Sequence, residues 1–449
     1  MSRDLRFFFL FRLLATSYLY VPIFVFFKLA RGLGFNEVML LSAVYAGVVI
    51  LLEVPTGALA DRLGRRTSLM AGSLSMVLSC LVAFKAGSFS AFAIAEGLAA
   101  VSIALCSGAD SAYLHDLLHG QGKGELYIRA EGTSSAWHLS GNALAYIAGG
   151  SLAMVDLALP YAMTAVTSAL AFCVALCLRE PRRSVRSEAT TVQRFRSYGV
   201  LMVGALRTVL TSRRLLWLMG FSALAFTLLV VTKYIYQPYL GARGFSFFQT
   251  GMVFAGLNLF AACVASQMHR LRDRLGDRAL LFGLLGGLSL SFLLLNQFEA
   301  AWLFLGLLAV QAASTGLFSP LVKPLINREI LDSGQRATVL SVESIARRVA
   351  VGALHPAIGL LSLTAGIYAC GLVGLAGMFF LLAMWPGRRG ERLWMRGPEH
   401  LGTCKERFVD RSQLPAQTAN LCPRVETTLV GNEFTSSPSV VRKTGSTRR

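Results

Sequence analysis

The chain has 449 residues, 54% of them hydrophobic and 15% charged, with a mean hydropathy of +0.57. Soluble domains carry about 25% charged residues, so this composition excludes a soluble globular protein and belongs to a polytopic membrane protein. The formal charge of +19 does not point to nucleic acid, because the Lys and Arg collect in alternate loops and at the two ends, as on a cytoplasmic membrane face.

A span needs about 20 apolar residues to cross the hydrocarbon. Apolar runs predict twelve transmembrane helices, near 8–30, 38–59, 67–86, 90–110, 133–154, 160–178, 215–238, 248–268, 279–297, 301–322, 338–362 and 366–385. The first run is too long for a signal sequence and has no small-residue cleavage site, so it stays as a helix. Arg12 and Lys28 lie near its ends, where long side chains reach the interface. Helix 2 carries Glu53 and leads into GALADRLGRR at 57–66, where Asp61, Arg62, Arg65 and Arg66 are bracketed by Gly57 and Gly64. A tight reversal between helices calls for glycine. Beyond it, helix 4 carries Glu96 as the one charge of its outer half, with Asp110 and Asp116 at its inner end. Pairing of those aspartates with Arg65 and plain solvation are equal readings.

Helix 5 reads GNALAYIAGG at 141–150, and its small residues at 141, 145 and 149 share a face suited to close helix packing. It also carries His138 and Asn142. Residues 179–214 form a basic linker, whose apolar stretch SYGVLMVGALRTVL is short and flanked by Arg, as in a helix lying in the interface. The second set of six helices brings Lys233, Tyr234, Asn258, Gln311, Arg347 and Arg348 into spans. From 386 to 449 the chain turns polar without an apolar stripe, and a disordered tail is expected. The divisions are therefore 1–178, 179–214, 215–385 and 386–449.

The two sets of helices repeat. HRLRDRLGDR at 269–278 aligns with GALADRLGRR, so that Asp61, Arg62, Leu63, Gly64 and Arg66 match Asp273, Arg274, Leu275, Gly276 and Arg278 at a constant offset of 212. Each copy sits between the second and third helix of its half, as in a parallel-repeat transporter.

With the loop between helices 2 and 3, its degenerate second copy and the central basic linker, the chain resembles the major facilitator superfamily over residues 1–386. The hallmark there is G-x-L-x-D-R-x-G-R-R, and Gly57 to Arg66 match nearly every position. The antiporter signature of helix 5 is degraded, since Ala145 and Tyr146 stand where the family has Gly and Pro, and the helix 4 signature is not recognisable. The resemblance implies an all-α membrane protein of two six-helix halves. It also implies that Asp61 sits at the start of helix 11, near Ala337, latching the halves on the cytoplasmic side. A carboxylate at a helix N-terminus gains about 0.3–1 kcal/mol when exposed and up to ~2 when partly buried. The competing role for the loop is simply to set topology.

Ionisable residues inside spans are costly and mark candidate sites. Helices 4 and 7 run in opposite senses, which puts Glu96 and Lys233 at the same outer depth, where a pair would offset desolvation and a protonatable Glu96 would couple proton movement to opening. Depth matching also brings Glu53 to Arg347 or Arg348 across the halves. The alternative partner of Arg347 is Glu343, one turn earlier on its own helix. His138, Asn142, Asn258 and Gln311 are candidates to line a cavity, with interhelical hydrogen bonds as the rival role; Tyr234 is another, with the interfacial aromatic belt as its rival.

No enzyme constellation is present: no phosphate-cradling loop, no metal-ligand spacing, and no CxxC among eight cysteines. Neither cofactor nor metal is expected. The expectation is a monomeric secondary transporter of the bacterial inner membrane with both termini cytoplasmic, moving a small solute by alternating access on a proton gradient. Export is slightly favoured, because the branch resembles efflux permeases. The alternatives are a solute:proton importer and a transport-inactive sensor or scaffold of the same fold.

Overall fold

The computed structural model describes residues 3–180, 191–330 and 336–385, excepting the side chains at 54, 57–63, 128, 191–198, 200 and 337. The expected tail and the first part of the basic linker lie outside the described residues. The described residues belong to one compact unit, Met1–Pro386, and contain helices and no strand.

The first apolar run is two helices, α1 (Arg3–Thr16) and α2 (Phe24–Ala30), rather than one. Pro22 lacks an N–H and disfavours helix in the residue before it. In lipid the freed backbone groups must find partners within the protein. Gln237 supplies two of them: its Oε1 accepts from Val25 N at 2.7 Å, and its Nε2 donates to the Val21 carbonyl at 3.0 Å. Thr164 Oγ1 accepts from Leu19 N at 3.1 Å.

Next come α3 (Phe35–Leu63), α4 (Arg65–Lys85), α5 (Phe89–Cys106), α6 (Ala109–Gly120), α7 (Tyr127–Ala153) and α8 (Leu159–Cys177). Helix α3 runs through Pro55 to Leu63, so the reversal expected across a whole loop falls on Gly64 alone, at φ 112° and ψ 149°. The expected fourth span breaks at Gly108, φ 80°, and continues as α6 into what was expected to be loop. The small-residue face of α7 abuts α1: a Cβ at Gly141 would meet the Leu13 side chain, and one at Gly149 the Leu19 carbonyl.

Helix α9 (Thr191–Thr211) is the linker helix, packing on the following α10 (Arg213–Ala242) and on the later α14 (Arg336–Gly359). Between those two lie α11 (Phe247–Ser266), α12 (Met268–Leu295) and α13 (Ala301–Glu329); α15 (Leu363–Ala383) closes the series. The α12 helix bends at Gly276, φ 75° and ψ 162°. Gly64 and Gly276, matched in sequence, thus adopt matching backbone.

The same offset governs the other end of the bundle. Gly32 and Gly244 both take positive φ, 90° and 78°. Glu37 accepts from Gly34 N just as Gln249 accepts from Ser246 N, at 2.7 and 2.8 Å. Helices α1–α8 and α10–α15 therefore form two copies of one unit. They meet chiefly along α3–α14 and α7–α11, which are equivalent pairs under the repeat.

Nine helical stretches among the described residues are long and apolar enough to cross a membrane. Three expected spans fall short for reasons visible in their residues. The first is broken at Pro22, α7 is rich in Gly, Ser and other polar residues, and α14 carries Glu343, Arg347 and Arg348.

Candidate functional site

The bundle has a loop face, with Gly64 and Gly276, and a far face, with Gly32 and Gly244. Between them, at the junction of the halves, lies a void of about 110 Å³ lined by the α1–α2 break, α7, α10, α11 and α13. Tyr146, Thr232, Tyr236, Asn258 and Thr315 give it hydroxyl and amide groups, and Phe254 gives it an apolar wall. Lys233 opens onto it. The residue is exposed and forms part of the lining, so its side chain has access to the void. Asn258 Nδ2 donates to the Leu139 carbonyl at 3.2 Å and ties α11 to α7.

The expected Glu96–Lys233 pair is not formed. Glu96 meets Lys28 instead, Nζ to Oε1 2.5 Å, and Lys28 is 1% exposed. Lys28 does not reach the interface, because the α1–α2 break turns it inward, where its ammonium also lies 5.1 Å from the Phe24 ring centroid. Arg12 is likewise held inside, paired with Asp110 and 3.9 Å from Glu131. Asp110 is thereby occupied, and Arg65 has only Asp116, at 3.9 Å, of the two aspartates considered for it.

On α14 the expected inter-half pair takes a different form. Arg347 Nε lies 2.9 Å from Glu343 Oε1 on its own helix, and Glu343 accepts from Ser222 of α10. The Arg347 guanidinium also sits 4.6 Å from the Phe226 ring centroid. Residues 343 and 347 share a face one turn apart, and that face looks into its own half. Ser344 and Arg348 share the next face, towards α3. Across the halves Glu53 Oε2 accepts from Ser344 Oγ at 3.1 Å, and Arg348 lies within electrostatic reach of Glu53 without an ion pair among the described residues. Depth matching placed Glu53 beside α14, but the helix phase chose Ser344.

Glu131 and Glu343 are 212 residues apart, and each turns towards the first long helix of its half, Arg12 on α1 and Ser222 on α10. Glu343 is buried and Glu131 half-buried, and the pairing escapes a reading by span composition because Glu131 lies in the expected loop. Among the remaining candidates, His138 and Asn142 contact each other at 3.3 Å. Tyr234 packs edge-on against Phe24 and His355. Gln311 is fully buried on α13, and neither of its amide atoms has a partner among the described residues.

The far face is sealed between the halves. A Cβ on Gly150 of α7 would fall 2.6 Å from the Phe247 carbonyl, and one on Gly251 would fall 2.5 Å from that of Tyr146, so backbones touch where α7 crosses α11. At the equivalent α3–α14 crossing, a Cβ on Gly359 would lie 2.7 Å from Met39 Cβ. One turn deeper, buried His355 is hydrogen-bonded to Ser42 at 2.6 Å. Phe26 and Phe247 close the remaining gap, ring centroids 5.3 Å apart.

At the loop face, Glu180 caps α4: its carboxylate accepts from Arg65 N at 2.7 Å and Arg66 N at 3.0 Å. Arg66 in turn donates to the Ala175 and Leu176 carbonyls that end α8. The motif arginine thus holds its own half together. Glu180 was not singled out from sequence; its signal is a carboxylate just past a helix end, near in space to orphan N–H groups. The backbone of Gly57, Asp61 and Arg62 is the last two turns of α3. Their side chains, and with them the Asp61 latch, lie outside the described residues.

Among the described residues no cluster of His, Cys, Asp and Glu is arranged to hold a metal. The arrangement offers binding rather than bond-making: a largely apolar void with a few polar groups at the junction of the halves, and charges paired within each half.

Comparison with known proteins bears on this geometry. A family model described as Major Facilitator Superfamily matches residues 7–295. Comparison with curated proteins gives no match. Among solved structures of similar fold, the nucleoside transporter NupG gives a TM-score of 0.70 at 13% identity, covering 86% of this chain and 98% of that one. The peptide transporter POT in complex with sulfate gives 0.67 at 16%, covering 86% and 95%. A POT family transporter in complex with 5-aminolevulinic acid gives 0.65 at 12%, covering 86% and 96%. At such identities the likeness is one of fold.

Proposed function

The chain belongs to the Major Facilitator Superfamily, and from that premise we propose that it is a secondary active transporter moving a small solute across a membrane by alternating access. The observation that carries the proposal is the void at the junction of two repeated halves, closed on the far face by two equivalent helix crossings. Rocking the halves about that junction would open the crossings and close the loop face, exposing the void to each side in turn.

The Lys and Arg concentrated at the loop face support a cytoplasmic orientation for that face and for both termini. The three short candidates, the α1–α2 pair, α7 and α14, complete twelve spans on this reading, their polar groups being met by neighbouring helices rather than lipid. Export is slightly favoured over import, driven by a proton gradient across a bacterial inner membrane, and the transporter is a monomer. Asp61, in the last turn of α3, remains the proposed latch to the start of α14.

Transport is tested directly in proteoliposomes, with an imposed proton gradient and solutes released from a susceptibility profile of a deletion strain. Asp61→Asn is expected to lower the rate severalfold at unchanged expression. Sensitisation of the deletion strain supports export, and loss of growth on a solute supports import. A purified, folded chain that moves none of the solutes to which the deletion strain responds would reduce the protein to a sensor or scaffold.

A further inference from the structure

We infer that the void receives a small organic monoanion, with its acid group on Lys233 and its apolar body against the ring-lined wall. This rests on the transporter reading and names the substrate class of the same site.

Arg12, Lys28 and Arg347 each have a carboxylate within 4 Å, and Arg348 has Glu53 in electrostatic reach. Lys233 has no carboxylate within that distance among the described residues. Glu96 is taken by Lys28. Among the described residues one positive charge is left facing the void without a carboxylate, and a ligand anion sharing that space would be its counter-charge.

The rest of the lining agrees with that ligand and disfavours others. It contains no acid. It offers hydroxyls of Thr232, Thr315, Tyr146 and Tyr236 and the amide of Asn258. A cationic solute would meet Lys233 with nothing to neutralise it. Phe254 stands edge-on to Tyr146 and to Tyr236, centroids 6.2 and 5.8 Å away, which provides a flat apolar wall. A volume of about 110 Å³ suits a small body, and the one lining cation among the described residues matches a single negative charge.

The test uses matched probes that share a body and differ in charge: benzoate, benzamide and benzylamine, with 3-methylbutyrate, its amide and its amine as an aliphatic set. Thermal unfolding of the full-length purified protein is followed at constant ionic strength. The two carboxylates are expected to raise the midpoint, and the amides and amines to leave it unchanged. Lys233→Gln should weaken the carboxylate Kd about tenfold or more, the scale of a lost charge-assisted bond, while Lys233→Arg keeps most of it. Equal stabilisation by amide or amine, no stabilisation by either carboxylate, or an unchanged Kd in Lys233→Gln overturns the inference. Exchange of the same probes in proteoliposomes separates the two levels. Transport of the amine or amide with the carboxylates ignored overturns the anion and leaves a transporter. Carboxylate binding lost in Lys233→Gln without exchange of any probe keeps the anion site and removes transport.

Discussion

Gly64 is a position where one atom decides a turn. Its φ of 112° is open to glycine and strained for other residues, and an added Cβ would lie 2.7 Å from a Glu180 carboxylate oxygen that caps α4. Gly64→Ala is expected to cost about 1–3 kcal/mol of backbone strain and to displace the cap as well. The check is a lower unfolding midpoint in detergent, and an unchanged midpoint would show that the turn relaxes freely. Lys28 and Glu96 make the second residue-scale case. Glu96→Gln leaves the Lys28 ammonium buried without its counter-charge, a loss of about 3–5 kcal/mol, whereas replacing both partners by apolar groups is often neutral. The double variant Lys28→Met, Glu96→Leu should therefore unfold later than Glu96→Gln alone. The reverse order would mean that the pair contributes by packing rather than charge.

Among the helices, the interruption between α1 and α2 carries the sharpest consequence. Its exposed Val21 carbonyl and Val25 amide are both met by Gln237 of the other half. Gln237→Leu leaves two buried backbone groups without partners, about 1–3 kcal/mol each, and Gln237→Glu keeps the acceptor while losing the donor. Unfolding midpoints are expected to fall in the order wild type, Glu, Leu; a Leu variant as stable as wild type would mean that the break re-forms as helix. Pro22 made the interruption legible, but its partner was not. Gln237 lies 212 residues from Val25, and only the pseudo-twofold meeting of the halves brings them together. The same distinction holds on α14. Spacing placed residues 343 and 347 on one face and 344 and 348 on another, yet which face met α3 was settled by how the helix docks.

Across the whole molecule, the two far-face crossings are one feature written twice. Gly251 of α11 occupies the position of Met39 in α3, and their partners are the far ends of α7 and α14. If transport requires this seal to open, tying it shut must stop turnover. Phe26 and Phe247 face each other across it. In a chain with the native cysteines replaced, Phe26→Cys with Phe247→Cys, bridged by a reducible bifunctional thiol reagent, should lose solute exchange and regain it on reduction. Full exchange in the bridged protein would show that the far face does not open.

The membrane class, the order of helices and the internal repeat were determined by the sequence alone, because each rests on local composition or on matched motifs. Apolar run length sets a span, and the 57–66 and 269–278 copies stand out against featureless surroundings. The residue types at the site were legible too: Lys233, Glu96, Glu53 and Arg347 are conspicuous because charge in a span is costly. Their partners were not. Lys28 took Glu96, Glu343 took Arg347, and Ser344 took Glu53. Depth along a helix follows from 1.5 Å per residue, but pairing also needs the rotation of each helix about its axis and the neighbour it packs against. Those are set by contacts between segments far apart in the chain, so it took the tertiary structure to leave Lys233 without a carboxylate within 4 Å among the described residues.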